Sequence, residues 1–135
     1  MLRKMNKRTG GFTLVEIMIV VAIVALLAVI AVPNFLRARK RSQASRILEE
    51  LRLIDSAKDQ YAIEYNKKGN TTVGWADVQL YLKPTSSLYN ALGKDMFGGD
   101  YIIGTVDGST AMAASTWDEF TALKLPTDFW GGYGQ

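Results

Sequence analysis

The chain has 135 residues with no cysteine and no histidine. That is enough for one small globular domain, and it excludes disulfides, thiolate metal sites and any Ser-His or Cys-His catalytic arrangement. The net charge of +3 is unevenly spread: the first 11 residues carry four bases (Arg3, Lys4, Lys7, Arg8) and no acid, residues 37–68 nine bases against five acids, and residues 69–135 three against seven. The chain therefore reads as a basic leader, an apolar span, a basic stem and an acidic head.

Gly10-Gly11 closes the leader, and glycine there disfavours helix. From Ile17 to Val32 no side chain is polar, and counted from Phe12 the stretch reaches 21 residues. About 20 such residues in a helix cross a bilayer core of about 30 Å. A secretory signal peptide, a plain anchor and a membrane helix with a working carboxylate all begin this way. The run exceeds a signal peptide's apolar region of roughly 7–15 residues. Glu16 speaks against the first two readings, because an acid inside the bilayer costs about 2.5–3.5 kcal/mol and is kept where it has a partner. Phe12 and Glu16 are four apart and share a helix face. Flanking charge does not orient the span, since four bases precede it and Arg37, Arg39, Lys40 and Arg41 follow it. Pro33 removes one helical hydrogen bond, to the carbonyl of Val29, and predicts a kink or local melt around residues 29–34.

Residues 35–67 contain neither Gly nor Pro. Ala44, Ile47, Leu48, Leu51, Ile54, Ala57, Tyr61, Ala62 and Tyr65 recur at three- and four-residue spacing, which predicts an amphipathic helix packing on the head. Arg46–Glu50 and Glu64–Lys68 are spaced as i,i+4 pairs. Lys67-Lys68-Gly69 is the predicted stop. The basic run at 37–41 suits anionic headgroups or acidic neighbours. It lacks the interleaved aromatics of a nucleic-acid platform, so nucleic acid is not an expected partner.

In the head, Val73–Leu82 predicts a short helix or turn ending before Pro84. Tyr101–Val106 and Ser109–Thr116 predict two strands, joined at the turn signal Asp107-Gly108. Trp117–Leu125 reads as a third strand or a short helix, and the aromatic tail 129–133 as a segment that folds back or meets another subunit. Asp107, Asp118, Glu119 and Asp128 are too scattered for a calcium loop, so no metal and no cofactor is expected.

Gly11-Phe12-Thr13-Leu14-Val15-Glu16, with a basic leader before it and an apolar run and Pro33 after it, resembles the start of type IV pilins and type II secretion pseudopilins. The resemblance implies cleavage between Gly11 and Phe12, methylation of Phe12, and assembly through Glu16 and the new Phe12 amine. It implies a helix kink at Pro33. It also implies an α+β fold, with a long N-terminal helix on a small antiparallel β-sheet head. The expected organisation is a cleaved leader (1–11), a membrane and assembly half-helix (12–34), an amphipathic half-helix (35–68) and a head (69–135). Asp95-Met96-Phe97-Gly98-Gly99-Asp100-Tyr101 is loosely similar to the family's element at the entry to the sheet. Two features depart from family patterns: no C-terminal disulfide can form, and the calcium loop of major pseudopilins is not matched.

The implied partners are a prepilin peptidase and methylase, other pilin or pseudopilin subunits, the inner membrane and an assembly platform protein. The implied location is the inner membrane, N-terminus cytoplasmic and head periplasmic, and then a pilus or pseudopilus. The alternative is an anchored periplasmic binding domain that does not polymerise. No clustered carboxylates or Ser-Lys pair suggest an enzyme.

Overall fold

A computed structural model describes residues 10–126 and 128–133. The elements are α1 (Leu14–Glu64), α2 (Trp75–Gln79), α3 (Ser87–Asn90), α4 (Ala114–Thr121) and a 3-10 turn at Gly131–Tyr133. The chain divides into two units, Met1–Arg37 and Ala38–Gln135.

In the first unit α1 begins at Leu14 and is long and apolar enough to cross a membrane, with none of its apolar window buried. The helix continues unbroken through Pro33. Residues 29–34 are therefore helical rather than melted, although Pro33 has no N–H for the carbonyl of Val29.

In the second unit the rest of α1 supplies one wall of the core. Ala44, Ile47, Leu48, Leu51, Ile54 and Ala57 are buried, and Tyr61 packs against them. Burial of such side chains contributes about 1.5–3 kcal/mol for each large one. This is why the stripe packs on the head, as its spacing predicts. The helix ends earlier than Gly69. Asn66 adopts the left-handed region at φ 49. Its N–H donates to the carbonyl of Ile63 and that of Lys67 to Ala62, a Schellman closure with Asn in glycine's place. Lys68 thus lies outside the helix, and Glu64 instead accepts the Tyr81 hydroxyl. The other expected pair is present, Arg46 Nε lying 3.2 Å from Glu50 Oε1.

Three short helices face this wall. Asp77 accepts the Gly74 N–H at 2.9 Å and starts α2. Ser86 Oγ accepts the Tyr89 N–H at 3.2 Å and starts α3. Of the two readings of Trp117–Leu125 the chain adopts the helix, as α4, so that Phe120 meets Trp130 with ring centres 5.7 Å apart. Phe129 and Trp117 join Trp130 at 5.0 and 5.5 Å, so the tail folds back.

The expected antiparallel sheet is absent among the described residues. Isolated antiparallel bridges stand in its place, at Thr72↔Thr105, Lys94↔Asp100 and Ile102↔Ala111. Ile102 and Ala111 exchange both backbone bonds at 2.8 Å, but the ladder does not propagate. Gly104 turns the chain at φ 72, and the carbonyls of Ile103, Thr105 and Gly108 are taken by Lys58. The turn closes from the Gly108 N–H to the Thr105 carbonyl, which puts Val106-Asp107 rather than Asp107-Gly108 at its centre. The last three residues of the expected partner strand, 114–116, are used by α4.

Candidate processing and assembly site

The motif residues lie together at the start of α1. Gly10, Gly11, Phe12 and Thr13 precede the helix and are exposed, Phe12 at 85%. Neither glycine has a positive φ, and a Cβ at either meets nothing within 4 Å. The fold itself does not require glycine at position 11.

Glu16 is the third residue of α1, and Thr13 is its cap. The Thr13 N–H and hydroxyl both donate to Glu16 Oε2 at 2.8 Å, and the Glu16 N–H donates to Thr13 Oγ1 at 3.2 Å. This is a capping box, which satisfies donors left open by the first turn and sets a carboxylate at the positive end of the helix dipole. Sequence reasoning missed Thr13, although Thr-x-x-Glu ahead of an apolar run is the signature of such a box. Among the described residues Oε1 of Glu16 has no hydrogen-bond partner. Pro33 sits within the same helix.

Elsewhere the structure separates the charged candidates. In the second unit Arg39 and Arg41 are exposed, while Lys40 Nζ lies 3.6 Å from Glu119 Oε2 and bonds the Glu119 carbonyl at 3.4 Å. Among the described residues no group of three or more Asp or Glu is placed to hold a metal.

The segment from Asp95 to Tyr101 forms a tight loop. Asp95 Oδ1 accepts the N–H groups of Phe97 (2.8 Å) and Gly99 (3.0 Å), and Oδ2 accepts the Thr116 hydroxyl. Tyr101 leaves the loop to donate its hydroxyl to Glu50 of α1 at 2.6 Å. Burial, then the bond to Glu50, raises the Tyr101 phenol above its ordinary range.

An exposed glycine–phenylalanine step thus stands ahead of a membrane-length helix whose first turn is capped by Thr13 and Glu16. A family profile described as "Prokaryotic N-terminal methylation motif" matches residues 6–32. The chain is 31% identical over 122 residues to the type IV major fimbrial protein FimA of Dichelobacter nodosus, covering 90% of this chain and 65% of that one. It is 41% identical over 64 residues to the type IV major pilin protein PilA of Myxococcus xanthus, covering 47% and 29%. It is 31% identical over 109 residues to the type II secretion system core protein G of Vibrio cholerae, covering 74% and 73%. The chain belongs to the type IV pilin and type II secretion pseudopilin family. It spans less than two thirds of the length of the first two relatives. No solved structure matches it.

Proposed function

We propose that the chain is a structural subunit of a type IV pilus or type II secretion pseudopilus, held in the inner membrane and polymerised through the first part of α1. The relatives are named as fimbrial, pilin and secretion-core proteins, which supports a structural rather than an enzymatic role. The observation that carries the reading is the start of α1: an exposed Gly11-Phe12 step, then Glu16, then an apolar span with no cover of its own.

Glycine at 11 answers no need of the fold, so its role lies with a peptidase that must close on an extended backbone. Cleavage after Gly11 leaves Thr13 and Glu16 in place, and with them the cap. It also makes Phe12 the new amine, one residue before the cap, and methylation keeps that amine basic. One Glu16 oxygen is engaged by Thr13 and the other is available to an amine. A carboxylate in lipid is tolerable once paired, and in a bundle of identical helices the pairing amine is a neighbour's Phe12. Residues 1–11 then form the leader, 12–34 the assembly half, 35–68 the stem half and 69–135 the head, with Pro33 as the point where the helix bends. The N-terminus lies on the cytoplasmic side with the peptidase, and the head in the periplasm with the platform protein beneath the growing fibre.

The test is an intact mass of the chain recovered from membranes that contain a prepilin peptidase. Loss of residues 1–11 with one added methyl group is expected, and full length for Gly11→Glu. Glu16→Ala is expected to be cleaved and inserted but to yield few filaments. Normal polymerisation of that variant sinks the role given to Glu16.

A further inference from the structure

The most unusual side chain of the second unit lies apart in sequence from the start of α1. Lys58 lies on the buried face of α1 and is 1% exposed. A lysine is almost never buried without partners, because desolvating the ammonium is costly. Here its three donors meet four oxygens. The backbone carbonyls of Ile103 (3.2 Å) and Thr105 (3.1 Å), with that of Gly108, face it from one loop, and Asp55 Oδ1 lies 3.0 Å away on α1 itself. Asp55 is held in turn by the Thr110 N–H (3.1 Å) and hydroxyl (2.6 Å). Thr110 is fully buried.

Three carbonyls turned inward from six consecutive residues, with one carboxylate, are an oxygen set suited to a cation. We infer that residues 103–110, with Asp55, form a cation cage whose ligand class is a primary ammonium, filled in this chain by its own Lys58. The loop is ordered around that ion more than by a β-ladder: the Ile102–Ala111 pair stays isolated, and the Gly104 carbonyl, which would extend it, accepts the Val73 N–H instead. The cage binds by charge and by N–H donation together. A cation of equal charge without N–H groups does not replace the lysine, nor does a side chain of equal length without charge.

The experiment uses the full chain in detergent micelles, followed by thermal unfolding. Lys58→Met keeps the packing but leaves the Ile103 and Gly108 carbonyls without a donor, while that of Thr105 keeps the Gly108 N–H. Its Tm is expected to fall by about 10 °C or more. Lys58→Ala empties the cage. Ethylammonium chloride is then expected to restore part of the lost Tm, tetramethylammonium chloride at equal concentration to restore none, and neither salt to shift the wild type in the same way. A Lys58→Met variant that melts with the wild type, or equal responses of Lys58→Ala to both salts, overturns the inference. Should the variants not fold, the wild type decides by nitrogen-15 NMR of its lysine ammonium groups. A Lys58 ammonium signal that exchanges slowly with water supports the cage, and fast exchange at Lys58 refutes it.

Discussion

Tyr101→Phe tests the contact that ties the head's central loop to α1. The substitution deletes one oxygen and leaves the ring in place. In the native protein that oxygen donates to Glu50 Oε2 at 2.6 Å, and Glu50 is 7% exposed. A hydrogen bond to a charged group contributes about 1.5–3 kcal/mol, and a buried acceptor left unpaired loses its solvation as well. Glu50 keeps Arg46 at 3.2 Å, while Ser87 Oγ at 3.5 Å is too long to compensate. The expected net loss is about 2 kcal/mol, and a domain of roughly 100 residues loses about 4–8 °C of Tm per kcal/mol. Thermal melts of the full chain, followed by near-UV circular dichroism, measure it. Removing both partners in Glu50→Leu/Tyr101→Phe is expected to cost less than the sum of the single changes, because no buried carboxylate is then stranded. A Tyr101→Phe protein within about 0.5 kcal/mol of wild type, the range of an ordinary surface change, refutes the reasoning.

Gly93→Ala is expected to destabilise by about 2 kcal/mol or more. Position 93 has φ 80, and an added Cβ falls 2.8 Å from the Trp75 ring; the left-handed cost alone is about 1–2 kcal/mol. Denaturant midpoints check it. In alkaline pH-jumps read before unfolding, Tyr81 and Tyr133 are expected to ionise late. The bond to Glu64 pushes Tyr81 up to about 12, and burial with the bond to Asp55 does the same for Tyr133. Glu64→Gln should bring the Tyr81 ionisation back down toward the ordinary range of about 10, since the carboxylate that raises it most is removed while its desolvation remains. At the acid end, burial pushes Asp55 up, but the bonds from Thr110, Lys58 and Tyr133 outweigh it and hold the carboxyl below its ordinary 3.8. A depressed carboxyl contributes stability above its unfolded pKa and loses it as pH falls through the folded one. Urea midpoints are therefore expected to fall with acid below about pH 4 in wild type, and less steeply in Asp55→Asn.

The parts legible in the sequence were those whose signal is local. The glycine–phenylalanine–glutamate start, the apolar run and the stripe from Ala44 to Tyr61 each depend on residues a few positions apart, and the structure keeps Glu16, the apolar run and the stripe on one helix with Gly11 and Phe12 just before it. The sheet was misread because strand formation is decided elsewhere. Tyr101–Val106 has the composition of a strand, yet its Ile103 and Thr105 carbonyls answer to Lys58, 45 residues and more upstream, and its Gly104 carbonyl to Val73. That lysine did leave a trace in the sequence. It stands four residues after Ile54 and three before Tyr61, on the buried face, as Glu50 stands three after Ile47 and four before Ile54. A charge on the apolar face of a stripe is a statement that something polar will arrive there. Periodicity announces the arrival and cannot name the visitor, since Tyr101 and the 103–108 carbonyls come from a loop with no period of its own.

The same reasoning applies to Glu16, the remaining acid on an apolar stretch. Read alone, it demands a cation in lipid. With Thr13 beside it, half of the demand is met within the chain, because the cap uses Oε2 and satisfies the helix's first donors. The carboxylate is therefore held in one rotamer before any partner is present. In the assembly proposed above, pairing through its second oxygen then costs less conformational entropy than ordering a free side chain, which is roughly 1–2 kcal/mol for a glutamate. Thr13→Val separates the two contributions. It keeps the shape of residue 13, the Phe12 amine and the residue 13 N–H, but removes the hydroxyl, one of the two donors that fix Glu16. Normal cleavage with slower polymerisation is expected, measured as filament yield against time at equal membrane content. An unchanged rate means that the cap serves the helix alone.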